Sequence, residues 1–259
     1  MRKLDLEGKN ALILGVANHR SLGWAIAEAL GEAGARLAFT YQGERLQKNV
    51  SSLAEKYPGS PVWPCDVTDE GQLDALFARL GEELGGLDVL IHSVAFAPRE
   101  ALEGAFAATR REDWRVALDV SAYSFVDVAN RAAPLMRGRG GGAMLALTFM
   151  ASQRVFPHYN VMGSAKAALE HAVRQLAFEL GADGIRVNAI SAGPVATISA
   201  RGVSGFGDML AHHREHAPLK RNIEPREVGD AALFLCSELG SGVTGEVLHV
   251  DAGFNVMAI

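Results

Sequence analysis

The sequence predicts an α/β fold, a doubly wound parallel sheet of about seven strands forming one domain over residues 1–259. Three observations predict it. Short apolar runs recur from end to end at 10–14, 36–40, 62–65, 89–92, 143–148, 186–190 and 247–250. They are nearly continuous, as strands covered on both faces are. Amphipathic stretches of helical period separate them, and that alternation builds a parallel sheet with helices on both sides. Finally, no Pro/Ser-rich linker, repeat or low-complexity tract divides the chain.

Taken in order, strand 10–14 feeds a helix at 22–33, strand 36–40 a helix at 44–56, and strand 62–65 a helix at 70–84. Strand 89–92 precedes one long helix at 112–136, with Pro134 near its end to stop or kink it. Arg137 and the glycines at 138 and 140–142 read as a flexible turn into strand 143–148, at the end of the sheet away from the strands' carboxyl ends. A helix at 159–180 leads to strand 186–190. From there no clear helix begins until 225–239, before the last strand at 247–250. A gap of about thirty residues in a compact domain is a lid or binding loop. It leaves from a carboxyl strand end, where open parallel sheets bind ligands. Residues 195–220 are therefore read as a substrate lid, made adaptable by Gly202, Gly205 and Gly207 and expected to close over its ligands.

Composition narrows the classes. The 259 residues are 49% apolar and 21% charged, ordinary globular values that exclude collagen-like, coiled-coil and disordered chains. A net charge of −5 disfavours a nucleic-acid partner. No apolar run is long enough to span a membrane, and the first residues carry no apolar signal core. Cys65 and Cys236 lie far apart among apolar neighbours, as core thiols in a reducing compartment do. A cytoplasmic enzyme is the expectation.

The turn after the first strand runs Gly15-Val16-Ala17-Asn18-His19-Arg20-Ser21-Leu22-Gly23. A glycine turn entering a helix N-terminus suits a dinucleotide pyrophosphate, because it exposes unpaired N–H groups and the positive helix dipole. The spacing is not G-x-G-x-x-G, and a tight turn capped by Ser21 is the alternative. Asp66 and Val67 follow strand three, placed to hold an adenine, although Asp66 also reads as a helix N-cap. Ser93 and Val94 begin a small-residue run after strand four.

Tyr159 and Lys166 are seven residues apart. On a helix they lie about 20° apart around the axis and roughly 10 Å apart along it, so both can face one pocket. A nearby cation would make the phenol a better acid. A packed tyrosine with a solvated lysine is the alternative reading of the pair alone.

Over nearly its whole length the chain resembles the short-chain dehydrogenase/reductase superfamily and, within it, type I enoyl-acyl-carrier-protein reductases. The resemblance rests on residues 15–27, 39–42, 65–67, 92–98, 121–125, 157–166, 187–194 and 245–251. The Tyr159-x6-Lys166 spacing is its most specific part; the wider superfamily uses Tyr-x3-Lys and an Asn-Asn-Ala-Gly run that this chain lacks. The resemblance implies a Rossmann-type fold and a cytoplasmic homotetramer. Its reaction would be reduction of the double bond of a trans-2-enoyl thioester on acyl carrier protein. Tyr159 would donate to the thioester oxygen, Lys166 would hold the nicotinamide ribose, and Phe149, Met162 and Ala97 would meet the substrate. Cofactor contacts would come from Gly15, Ser21, Leu22, Gln42, Asp66, Val67, Ser93, Val94, Val195, Ala196, Thr197, Ile198 and Ser199. Rival readings are a reductase of coenzyme A thioesters or carbonyls and a non-catalytic NAD(P) sensor.

Three positions depart from the family pattern. Phe149 stands where a second tyrosine is frequent, Ala95 where glycine is, and residues 202–208 lack the lysines and arginines some relatives carry. Carrier contact would then fall to Arg201, Arg214, Lys220 or Arg221. NADH is expected over NADPH: Gln42 suits an unmodified ribose, Gly43 and Glu44 offer a 2′-phosphate nothing, and Arg45 falls in the next helix. Arginine in place of Gly43 would shift that preference. His212, His213 and His216 lack the carboxylates or thiolates of a zinc site, so a lid-surface helix is expected there and no metal.

Overall fold

A computed structural model describes residues 4–197 and 205–258. Among these the strands are Asn10–Leu14 (β1), Arg36–Tyr41 (β2), Val62–Pro64 (β3), Val89–His92 (β4), Gly142–Thr148 (β5), Ile185–Ala192 (β6) and Val247–Val250 (β7). The α-helices are Leu22–Glu32 (α1), Glu44–Ala54 (α2), Glu70–Leu84 (α3), Arg99–Leu102 (α4), Arg111–Leu118 (α5), Ser124–Arg137 (α6), Asn160–Leu180 (α7), Phe206–His216 (α8) and Pro225–Cys236 (α9). The strands form one parallel sheet in the order β3-β2-β1-β4-β5-β6-β7. The expected Rossmann-type sheet is the one observed.

Strand side chains alternate between two cores. Leu12, Leu14, Leu90 and Met144 lie under α3, α6 and α7, against Leu76, Phe125 and Leu169. Ala11, Ile13, Phe39 and Ile91 lie under α1 and α9, against Ile26, Leu30 and Val228. Each fully buried Leu, Ile or Phe contributes about 1.5–3 kcal/mol of apolar transfer, so both faces must be covered. That is why the sequence runs apolar without alternation.

Local chemistry sets several boundaries. Asp69 caps α3 by accepting from the Gln72 N–H at 3.0 Å, and Gly85 ends it in the left-handed region. Pro225 starts α9, where the Glu227 carboxylate accepts from the Glu224 N–H at 2.8 Å. Cys65 and Cys236 are free and buried, and burial pushes each thiol up to about 12.

Four expectations need correction. The long helix is split by a π turn, Asp119–Tyr123, between α5 and α6, and Pro134 sits inside α6 without ending it at once. The glycine turn before β5 is closely packed rather than loose. Gly141 has φ of 114°, and a Cβ there would lie 2.4 Å from the Gly184 carbonyl oxygen. A clear helix, α8, is already present before 225, and His213 on it is buried rather than on a lid surface. Its Nδ1 faces the Asn222 amide oxygen at 3.1 Å, and burial lowers its pKa despite that contact. Ile198, Ser199, Arg201 and Gly202 lie outside the described residues. Among the described residues no helix is long and apolar enough to cross a membrane, and no group of three His, Cys, Asp or Glu is arranged to hold a metal.

Chain order reverses between β1 and β4, whose carboxyl ends meet where Leu14 pairs with His92. That switch point leaves a crevice beyond the strand ends.

Candidate active site

The crevice floor is made by two turns in main-chain contact. Gly15 leaves β1 with φ of 92°, and a Cβ there would fall 2.1 Å from the Ser93 carbonyl oxygen. Glycine is required at 15 by this approach, whatever binds above it. The turn then folds on itself: the Asn18 carbonyl accepts from the Ser21 N–H at 3.1 Å and from the Ser21 hydroxyl at 2.6 Å. Ser21 occupies the N-cap position of α1, yet its hydroxyl points back to Asn18. Among the described residues no side-chain bond caps the helix. This corrects the capped-turn alternative. The Trp24 N–H bonds back to the Ser21 carbonyl at 3.0 Å, and among the described residues no side chain covers the N–H groups ahead of it, the electrostatic setting a pyrophosphate requires.

Above the floor is a cavity of about 420 Å³. Gly15, Ser21 and Leu22 line it from the first turn, Ser93, Val94, Ala95 and Ala97 from the turn after β4, and Val195 and Thr197 from beyond β6. Phe149, Tyr159, Met162 and Lys166 also line it. Sequence reasoning did not single out Ala17, Asn18, Phe206 or Met209, which also line it. The last two are three apart on α8, a spacing that turns both to one side.

Tyr159 is not within the helix, as the spacing argument assumes, but stands at the N-cap of α7. Its neighbours His158 and Asn160 both have left-handed φ, 62° and 32°. This uncommon backbone aims the tyrosine across the cavity mouth. Its ring packs 5.1 Å from Phe149. Burial pushes the phenol pKa up, and Lys166 contributes no lowering effect. Tyr159 therefore keeps its proton as a hydrogen-bond donor.

Lys166 is buried, and its Nζ donates to the Leu147 carbonyl at 2.8 Å. Burial lowers its pKa to about 8, opposed by the charge of Glu170 one turn further along α7. Glu170 is itself buried and accepts from the Thr148 hydroxyl at 2.7 Å. An apolar-faced helix carrying a glutamate four residues past a lysine was the available signal for this pair. Beneath the site, Ser124 gives its hydrogen to the Val120 carbonyl at 2.7 Å, so His92 Nε2–H donates to Ser124 at 2.9 Å. Burial, and then the Lys166 charge, hold His92 down at about 3, so it is neutral.

Gln42, Asp66 and Val67 do not line the cavity; they stand beyond it, at the ends of β2 and β3. The Gln42 amide donates to Asp66 at 2.8 Å. Burial would raise the Asp66 pKa, but hydrogen bonds from the Thr68 main chain, Gln42 and the Thr68 hydroxyl lower it overall. Asp66 is not the helix cap; Asp69 is. Arg45 is exposed on α2. Gly43 has φ 71° and ψ 157°, a conformation essentially restricted to glycine, so arginine is poorly placed there. Ala196 is not among the cavity-lining residues. Of the cations considered for a carrier, Arg221 is held in two 2.7 Å bonds by Glu227, and Lys220 donates to the Glu215 carbonyl.

Known proteins match this chain throughout. The family described as Enoyl-(Acyl carrier protein) reductase matches residues 15–255. Enoyl-acyl-carrier-protein reductase (NADH) 1 of Rhizobium meliloti is 48% identical over 98% of this chain and 93% of its own. The Bacillus subtilis enzyme FabI, also named as an NADH reductase, is 47% identical over 98% of both chains. Among solved structures, the Bacillus cereus enoyl-acyl-carrier-protein reductase, crystallised with NADP+ and indole naphthyridinone, superposes with a TM-score of 0.95. It is 47% identical, covering 98% of this chain and all of that one. With the fold and the length of these matches taken together, the chain belongs to the enoyl-acyl-carrier-protein reductase family.

Proposed function

We propose that the cavity is where this chain carries out NADH-dependent reduction of the carbon–carbon double bond of a trans-2-enoyl group on acyl carrier protein, the last reductive step of fatty-acid elongation. The observation that carries the reading is one cavity lined by the uncapped end of α1, Lys166 and Tyr159. Relatives at 46–48% identity named as NADH enoyl reductases support the cofactor and the reaction.

The dinucleotide, when bound, supplies the hydride that adds to the β-carbon. The α1 N–H groups, Gly15, Ser21 and Leu22 would hold its pyrophosphate, and Ser93 and Val94 would contact the dinucleotide. Gln42, Asp66 and Val67 would hold the adenosine end, and Val195, Ala196, Thr197, Ile198 and Ser199 the nicotinamide end. Lys166 binds the ribose hydroxyls from a desolvated wall, where its charge is weakly screened. As the β-carbon gains hydride, negative charge moves to the thioester oxygen, and Tyr159 donates a hydrogen bond to it. The α-carbon then takes a proton from solvent water, completing the saturated thioester and leaving hydroxide to the bulk. Phe149, Met162 and Ala97 exclude water around the acyl group.

The finer reading has residues 195–220 as a lid, a homotetramer as the working form and the cytoplasm as its place. Val195, Thr197, Phe206 and Met209 at the cavity support the lid. Exposed Phe178 on α7 and Val256 after β7 support assembly. Buried free thiols suit a reducing compartment.

The test is loss of NADH absorbance with an enoyl thioester, on carrier protein and on coenzyme A, beside a ketoacyl thioester. Turnover of the enoyl substrates alone is expected. Turnover of the ketoacyl thioester alone, or NADH binding without turnover, would overturn the reading.

A further inference from the structure

The π turn at Asp119–Tyr123 has no part in the chemistry just described, yet its side chains grip the end of β4. Such turns inside helices are uncommon and shift side chains out of regular α spacing. Ser121 in this turn is completely buried. Its hydroxyl accepts from the Phe96 N–H at 2.9 Å and donates to the Phe96 carbonyl at 3.0 Å. Three residues on, Ser124 accepts from His92. The two serines thus hold the strand end at His92 and the turn four residues beyond it.

Phe96 is the middle of the Ala95-Phe96-Ala97 wall of the cavity. The residue is 55% exposed, so side-chain packing does little to fix this stretch. One hydroxyl satisfying both main-chain groups of a single residue leaves that residue little freedom to rotate or shift. Tyr159 and Met162 line the same cavity. The dinucleotide-facing floor at Gly15 and Ser93 is held separately, by direct main-chain approach.

We propose that Ser121 is a positioning residue for the enoyl substrate: by clamping the main chain of Phe96 it sets where the Ala95–Ala97 wall stands relative to Tyr159. The proposal rests on the reading of the cavity as an enoyl-thioester site. Because the clamp touches the acyl-side wall and not the floor, its removal acts on the thioester and leaves the dinucleotide in place.

The experiment compares wild type with Ser121→Ala, which removes both bonds. Ser121→Cys, close in size but a weak hydrogen-bonding group, is the second variant should the first fold poorly. Amide hydrogen exchange is followed at Phe96, and NADH affinity and steady-state kinetics with an enoyl thioester are measured in parallel. We expect Phe96 exchange to speed up about tenfold or more, the loss anticipated for two buried bonds. KM for the thioester should rise or kcat fall by a similar factor, with NADH affinity within twofold of wild type. Unchanged Phe96 exchange in both variants would overturn the clamp. Loosened exchange with unchanged thioester kinetics, or a parallel loss of NADH affinity, would overturn the positioning role. Failure of the underlying reading is distinguishable, since wild type itself would then not reduce the enoyl thioester.

Discussion

Tyr159 is flanked by two left-handed residues and sits in a wall that raises its pKa, so at neutral pH it keeps the proton it would donate. Tyr159→Phe should therefore lower kcat roughly a hundredfold to a thousandfold, the effect of about 2.7–4 kcal/mol for losing one oxyanion donor. NADH affinity, measured by fluorescence titration, should hold. Turnover near wild type would remove Tyr159 from that role. Lys166 offers a pH test. Its pKa is lowered to about 8, so the cation is complete below that pH and is lost as pH rises through it. NADH affinity should fall over that window in wild type. His92 faces the same charge but is already neutral, so it does not titrate there. Glu170→Gln takes away the charge that opposes Lys166 deprotonation, and the fall should begin at lower pH. An unshifted profile would show that Glu170 serves only the Thr148 bond.

At the scale of elements, the proposed adenosine-binding end of β2 and the proposed lid helix α8 each carry a prediction. Gly43 cannot readily host arginine, so the informative variant is Gln42→Arg, one residue earlier on ordinary strand-end backbone. The ratio of kcat/KM for NADPH over NADH should rise by tenfold or more, because the new cation meets a 2′-phosphate of roughly −2 that Gln42 cannot neutralise. A ratio unmoved by the substitution would place the adenosine ribose elsewhere. α8 brings Phe206 and Met209 to the cavity. Amide exchange along Phe206–His216 should slow when NADH and a substrate analogue bind together; equal protection free and bound would count against a lid.

For the whole molecule, the sheet ends in the open edge strand β7, and Phe178 is 83% exposed on α7. Large exposed apolar side chains on regular elements mark association surfaces when they cluster. Sedimentation equilibrium should return a particle of four 27.5 kDa chains at micromolar concentration. Phe178→Glu should shift it to smaller species. A monomer for the unmodified chain would show that these faces are solvated.

Apolar patterning alone determined the sheet, because a strand covered on both faces is mostly apolar, its few polar side chains such as Asn10 and His92 each bonded to a partner, and the strands at 10–14, 89–92 and 247–250 have the bounds read from sequence. The Tyr159 and Lys166 pairing was legible for the same local reason: residue spacing dictates which side chains share a helix side, although Tyr159 proved to cap α7 rather than lie in it. What only the tertiary structure decided depends on groups distant in sequence. Gly15 is required by the Ser93 carbonyl, Ser121 finds Phe96 twenty-five residues away, and Thr148 meets Glu170 across β5 and α7. Local spacing carries no information about such meetings. They exist because parallel crossovers bring chain segments tens of residues apart to one end of the sheet, where buried polar groups must find partners.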